Sequence, residues 1–103
     1  MSGQTLVVPG HFDVEVYRVL RMYDRARLLP RGHLDTIVAA LHRLSAEHIP
    51  VQGLLADAHA LGTRFSPGDA FYVALAKRIG APFLTRDGPL ARACAGLIEA
   101  RLL

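Results

Sequence analysis

The sequence predicts an α/β fold: a mostly parallel sheet covered by helices. Three observations lead there. Short apolar, β-branched stretches alternate with longer stretches of helical periodicity, the pattern of parallel strands joined by helical crossovers. The chain has 103 residues, the size of one hydrophobic core, with no linker, repeat or low-complexity segment, so a single domain over 1–103 is expected. Hydrophobic residues make up 51% and charged residues 20%, a balance that folds rather than staying disordered.

Thr5-Leu6-Val7-Val8 reads as a buried strand closed by Pro9-Gly10. From about His11 to Ala26 the pattern is helical: Phe12, Val16, Val19, Leu20 and Tyr23 share one apolar face, mostly opposite Asp13, Arg18, Arg21, Asp24 and Arg25. A second helix is predicted from about Arg31 to Glu47, with Leu34, Ile37, Val38, Leu41 and Leu44 inward. Ile49-Pro50-Val51 reads as a short strand, and Pro50, lacking an N–H, places it at an edge. Gly53 to Leu61 forms a small helix ended by Gly62. Ser66-Pro67 then opens a helix, with Ser as N-cap and Pro in its first position; it is apolar from Ala70 to Ala76 and stops at Gly80. Pro82 to Thr85 is a buried strand, Gly88 to Ala95 a short helix, and Leu97 to Leu102 a last apolar stretch.

Composition removes several function classes. The formal charge of +3 and pI near 9.6 tolerate a polyanionic partner without demanding one. Every basic residue but Lys77 is Arg, a bias suited to phosphate contacts but also produced by a GC-rich genome. Cys94 is the sole cysteine, so no internal disulfide forms and a reducing cytoplasm fits. Zinc is disfavoured as well, because His11, His33, His42, His48 and His59 never stand four apart and read as surface or packing residues. No apolar run reaches the ~20 residues of a membrane span, and the start at Met1 lacks the basic and apolar regions of a signal peptide.

The residues that carry chemistry are acids. Glu15 lies one turn from Phe12 and Val19, at the edge of the apolar face, where an unpaired charge is costly and a partner is expected. A half-exposed Glu at the rim of the face is the plain alternative. Asp69 opens a helix that is otherwise nearly all apolar, which predicts burial on more than one side. It is equally explained as a complement to the helix dipole. Asp87 follows the strand ending at Thr85 and precedes Gly88-Pro89, so it suits a helix N-cap and also the carboxyl edge of a parallel sheet, where active groups gather. Acids converging there repel unless a cation neutralises them. Without Cys or paired His the cation is hard, Mg²⁺ or Mn²⁺.

Longer motifs contain these acids. Val8-Pro9-Gly10-His11-Phe12-Asp13-Val14-Glu15-Val16 with Val19-Leu20-Arg21, then Ser66 to Ala76 around Asp69-Ala70-Phe71-Tyr72-Val73-Ala74-Leu75-Ala76, then Gly80 to Asp87 with Leu90-Ala91-Arg92, occur in that order. Together they resemble the PIN-domain ribonucleases, most closely the VapC toxins of toxin–antitoxin pairs, over essentially the whole chain. The resemblance implies a PIN-like three-layer α/β/α fold and a metal-dependent endoribonuclease held inactive by a cognate antitoxin protein. A homodimer is expected as well, to cover the gap that a missing strand would leave in the sheet, in the cytoplasm and away from membranes. By position, Glu15, Asp69 and Asp87 would be the catalytic Mg²⁺ ligands (Mn²⁺ being possible chemically), a metal-activated water would attack the RNA phosphodiester, and Thr85 would support the site by hydrogen bonding. Two departures stand out. Gly68 replaces the family's usual Tyr before the helix Asp, and the family's opening, central strand with its Asp and the helix after it have no counterpart before Val7-Val8.

The second departure motivates a rival: an N-terminally truncated, catalytically inactive PIN module that retains antitoxin binding or dimerisation. An unrelated flavodoxin-like domain is the remaining option, and no Gly-rich phosphate loop recommends it. The Arg18, Arg21, Arg25 stripe would contact RNA or an acidic antitoxin segment, or serve simply as the helix's solvated face.

Overall fold

The computed structural model describes residues 6–85 and 87–102. The chain divides into two compact units, Met1–Ile49 and Pro50–Leu103. The α/β order and the parallel strand pairing agree with the prediction. Thr5, the expected first residue of the first strand, lies outside the described residues.

In the first unit, β1 (Leu6–Pro9) leads into α1 (Phe12–Arg25), α2 (His33–Arg43) and β2 (Ala46–Ile49). The strands pair in parallel, Leu6 opposite Ala46 and Pro9 opposite Ile49. The Gly10 N–H continues this ladder onto the Ile49 carbonyl at 2.7 Å. Successive residues of a strand alternate in direction, so the nitrogen of Pro9 faces away from β2 and its missing N–H breaks no bond of the pair. Val8 and Pro9 are buried. The inward residues of α1 and α2 are only half-buried, and neither helix has a fully buried residue. At the end of α1, Arg27 takes a left-handed conformation, φ 60°, and Leu28 N–H reaches back to the Tyr23 carbonyl at 2.9 Å. This closes the helix as a glycine-type cap would, with an arginine in the glycine position.

Three sequence expectations fail here. The second helix stops at Arg43 instead of reaching Glu47, because Leu44 swings to an extended conformation (φ −62°, ψ 125°). Ala46, Glu47 and His48 then pair with β1, and Leu44 is exposed, not inward. Backbone pairing prevails over the helical preference of Ala and Glu. The strand therefore ends at Ile49, and Pro50 precedes a 3₁₀ turn, Val51–Leu54, so it marks no strand edge. Tyr23, placed on the inner face of α1, is also exposed, lying in the helix's last turn.

In the second unit, the 3₁₀ turn leads into α3 (Leu55–Ala60), a further turn at Gly62–Arg64, α4 (Pro67–Ile79), β3 (Phe83–Thr85), α5 (Gly88–Ala93) and β4 (Ala100–Leu102). The strands pair in parallel, Phe83 opposite Ala100 and Thr85 opposite Leu102. The boundaries of α4 follow the sequence signals: the Ser66 hydroxyl accepts the Asp69 N–H at 3.3 Å, Pro67 holds the first turn, and Gly80 caps the end at φ 67°. Ala70, Val73, Ala74, Leu75 and Ala76 are buried. Ala70, Val73 and Ala74 form a core with Ala58, Phe65 and Cys94, against which Phe83, Leu90 and Ile98 pack. Arg78 ties this helix to its neighbours, donating to the Gly53 carbonyl at 2.7 Å and to Asp57 at 2.6 Å. The strand expected from Pro82 is shorter and less buried than predicted. Phe83 packs on the core, but Leu84, alternating to the other face, is 54% exposed.

Leu54 is completely buried. Leu54→Ala is expected to lower unfolding free energy by about 2–5 kcal/mol, whereas Leu84→Ala should cost well under about 1 kcal/mol. Urea denaturation of both variants checks the contrast.

Candidate functional site

Glu15 lies in the first turn of α1, just past the carboxyl end of β1. Its side chain is half-buried, and one oxygen, Oε2, accepts from Arg18 Nη2 at 2.7 Å. The partner expected for a carboxylate at the face edge is thus Arg18, one turn along. The remaining oxygen, Oε1, makes no hydrogen bond among the described residues. Next to it, Asp13 accepts from or shares a proton with His48 Nε2 of β2 at 2.7 Å, and the His48 ring meets Phe12 edge-on at 6.5 Å. This pair fastens α1 to β2 and explains His48 as a packing residue.

Asp69 stands in the first turn of α4. Its backbone is fixed by the Ser66 cap, and its carboxylate makes no hydrogen bond or ion pair among the described residues. It is half-buried, not enclosed as the apolar run suggested, because the first turn of α4 projects past the core that covers Ala70 onward. A negative charge in this position is favoured by the helix N-terminus. Its field also reaches Cys94, the completely buried residue that ends α5. Burial pushes the Cys94 thiol up, nearby Arg64 pulls it down, and Asp69 raises it further.

Asp87 occupies the turn between the carboxyl end of β3 and α5. Its Oδ1 accepts the Leu90 N–H at 3.0 Å, the N-cap bond anticipated from Gly88-Pro89. Its own N–H donates to Thr85 Oγ1 at 3.0 Å. Thr85 thereby fixes the backbone that carries Asp87, and capping occupies one carboxylate oxygen, leaving Oδ2 without a hydrogen bond among the described residues. Asp69 and Asp87 flank one core: Ala70, adjacent to Asp69, lies in the cluster on which Leu90 packs.

Glu15 belongs to the first unit, and Asp69 and Asp87 to the second. In neither unit do three His, Cys, Asp or Glu side chains come together among the described residues. The donors themselves are carboxylate oxygens with a hydroxyl in support, a set that fits a hard divalent cation and not zinc. Sequence reasoning missed the Asp13–His48 pair, because nothing in local periodicity couples residues 35 positions apart. Among the described residues no helix is long and apolar enough to cross a membrane.

The geometry has a family context. The sequence model of the PIN domain matches residues 1–96, and the chain belongs to that family. Within it, the similarity is to VapC-type ribonucleases. The chain is 32% identical over 92 residues to Ribonuclease VapC12 of Mycobacterium tuberculosis, spanning 89% of this chain and 71% of that protein. It is 35% identical over 93 residues to Ribonuclease VapC3 of the same organism, spanning 90% of this chain and 68% of that one.

Two outcomes follow from the local geometry. Asp87→Ala should destabilise the fold by about 1 kcal/mol through loss of the α5 cap, while Asp87→Asn, itself a good cap, should stay within about 0.5 kcal/mol of the parent. Thermal unfolding of the pair measures this. The Cys94 thiol, buried and with its ionisation suppressed, should react with a thiol-specific disulfide reagent only as the chain unfolds. Rapid labelling under native conditions would contradict its burial.

Proposed function

We propose that this protein is an Mg²⁺-dependent endoribonuclease of the toxin type, with Glu15, Asp69 and Asp87 as metal ligands and catalytic residues. Membership of the PIN family and similarity to named ribonucleases support the reaction class. The observation that carries the site is Asp69: a half-buried carboxylate on a capped helix N-terminus, without a hydrogen bond or ion pair among the described residues. A fixed, partly desolvated and unneutralised carboxylate is a natural cation ligand.

The chain's own residues do the positioning. Ser66 holds the turn that aims Asp69. Thr85 and the Leu90 N–H hold Asp87 so that Oδ2 remains open. Arg18 orients Glu15 through one oxygen. Mg²⁺, when bound, supplies neutralisation of these carboxylates, activation of water and stabilisation of charge on the phosphodiester. Mn²⁺, with the same preference for oxygen ligands, would substitute. The reading includes a cytoplasmic site of action, a cognate antitoxin protein as inhibitor, RNA as substrate and a homodimer as the working form.

The test is cleavage of single-stranded RNA with and without Mg²⁺. Cleavage should require the ion, and Asp69→Asn should reduce it by about a hundredfold or more. Asp87→Asn, which keeps the cap, should reduce it similarly without loss of fold. Undiminished cleavage by Asp69→Asn would remove Asp69 from the ligand set. The rival reading, an inactive module that binds antitoxin or dimerises, predicts no Mg²⁺ binding in a calorimetric titration and no cleavage.

A further inference from the structure

The helices beside the proposed ligands begin in different ways. α4 opens on the Ser66 hydroxyl, which accepts the Asp69 N–H at 3.3 Å. α5 opens on Asp87, whose carboxylate accepts the Leu90 N–H at 3.0 Å. α1 opens on His11, outside the group of short polar residues that cap helices best. Its first backbone bond runs from the Glu15 N–H to the His11 carbonyl, 3.0 Å. The first turn of a helix is its most easily opened part, and Glu15 stands in it. The Glu15–Arg18 pair does not anchor this turn, because both residues belong to α1 and move with it.

Another pair does reach across. Asp13 is hydrogen-bonded to Nε2 of His48 in β2 at 2.7 Å, and the His48 ring meets the Phe12 ring edge-on at 67°. Two consecutive residues at the start of α1 therefore rest on one side chain. His48 lies opposite Val8 in the strand ladder, one residue before Ile49, whose carbonyl takes the Gly10 N–H. The ladder thus fixes the backbone as far as Gly10, and His48 takes hold of it again at Phe12 and Asp13. The two side chains are 40% and 51% exposed, and a pair so open to solvent adds little to overall stability. Its effect is greatest where folded and open states lie close in free energy, at a helix end and not in a core.

We infer that His48 is a positioning residue for Glu15: through Asp13 and Phe12 it does for α1 what side-chain caps do for α4 and α5, holding the turn that presents Glu15 to the metal. The tie rests on the geometry of the first unit alone; its use in metal binding rests on the nuclease reading. The simpler account is that Asp13 only complements the helix dipole. That account has no need of His48, so variants of His48, which leave the Asp13 charge in place, decide between the two.

Amide hydrogen exchange followed by NMR reads the tie without any metal, at the Glu15 N–H. His48→Ala should speed this exchange about two- to fivefold, the range open to an exposed pair, and leave the Val73 amide in the core of α4 unchanged. His48→Gln should return it close to the parent value, since a glutamine amide nitrogen reaches about as far as imidazole Nε2 and also donates. In an Asp13→Ala background, His48→Ala should have little further effect. The second readout is the Mg²⁺ dependence of RNA cleavage. Its midpoint should rise in His48→Ala by up to the same factor, with the lost rate recovered at high Mg²⁺, and fall back in His48→Gln. Unchanged Glu15 exchange in His48→Ala, equal acceleration at Val73, no rescue by His48→Gln, or an unmoved Mg²⁺ midpoint would each overturn the inference. A parent protein without Mg²⁺-dependent cleavage overturns the nuclease reading instead, and Glu15 exchange then still decides whether His48 holds the turn.

Discussion

A helix that is apolar for seven consecutive residues cannot sit at a surface with one side in water; it has to be covered around most of its circumference. The run from Ala70 to Ala76 in α4 imposes that condition on the second unit. Small residues let its neighbours approach closely, and Val73 at the centre is wholly excluded from solvent. Ala58 of α3, Phe65 before the helix and Cys94 after α5 close around it, with Phe83 of β3 behind. A sheet of two three-residue strands would be marginal by itself, so β3 and β4 depend on this packing for their existence. The acids inherit their positions from the same constraint. Asp69 is carried at the point where the covered stretch of α4 begins, and Asp87 at the turn that brings α5 back onto the core.

The first unit is organised differently. It has a parallel strand pair with Val8 and Pro9 buried, and two amphipathic helices whose inward residues keep partial exposure. A specific polar tie, Asp13 to His48, joins helix and strand. Burial of whole side chains gives way here to partial coverage and a hydrogen-bonded pair, which is weaker in dry contact but more tolerant of change at the surface.

How much of this was legible in the sequence depended on how local each cause was. The limits of α4 were readable because Ser66, Pro67 and Gly80 act on the backbone within a residue or two of where they stand. The cap at Asp87 was readable for the same reason, whereas the bond from the Asp87 N–H to Thr85 was not read from local signals. The limit of α2 was not. Ala46 and Glu47 favour helix, and only their pairing with Leu6 and Val7, some forty positions earlier, makes them a strand. The open carboxylate of Asp69 was partly legible: its place in the first turn was clear, but its degree of burial depended on how far the core reaches past Ala70. The ties from Arg78 to Gly53 and Asp57 span 25 and 21 residues and leave no periodic trace at all.

The arginine bias has a consequence beyond composition. A drift in base content that replaces lysine by arginine is neutral wherever the side chain only points into water. Several of these arginines no longer do so. Arg64 donates to the Ala95 carbonyl at 2.9 Å while its guanidinium lies over Phe65, 5.8 Å from the ring centroid. Arg78 serves a carbonyl and a carboxylate through a single guanidinium nitrogen. A flat, delocalised cation can stack and donate at once, and an ammonium cannot do both in that geometry. At Arg64 the fold therefore uses the planar cation itself and not merely its charge. Lysine in place of Arg64 would have to give up either the Ala95 carbonyl or the face of Phe65, so a charge-conserving exchange there is not a neutral one.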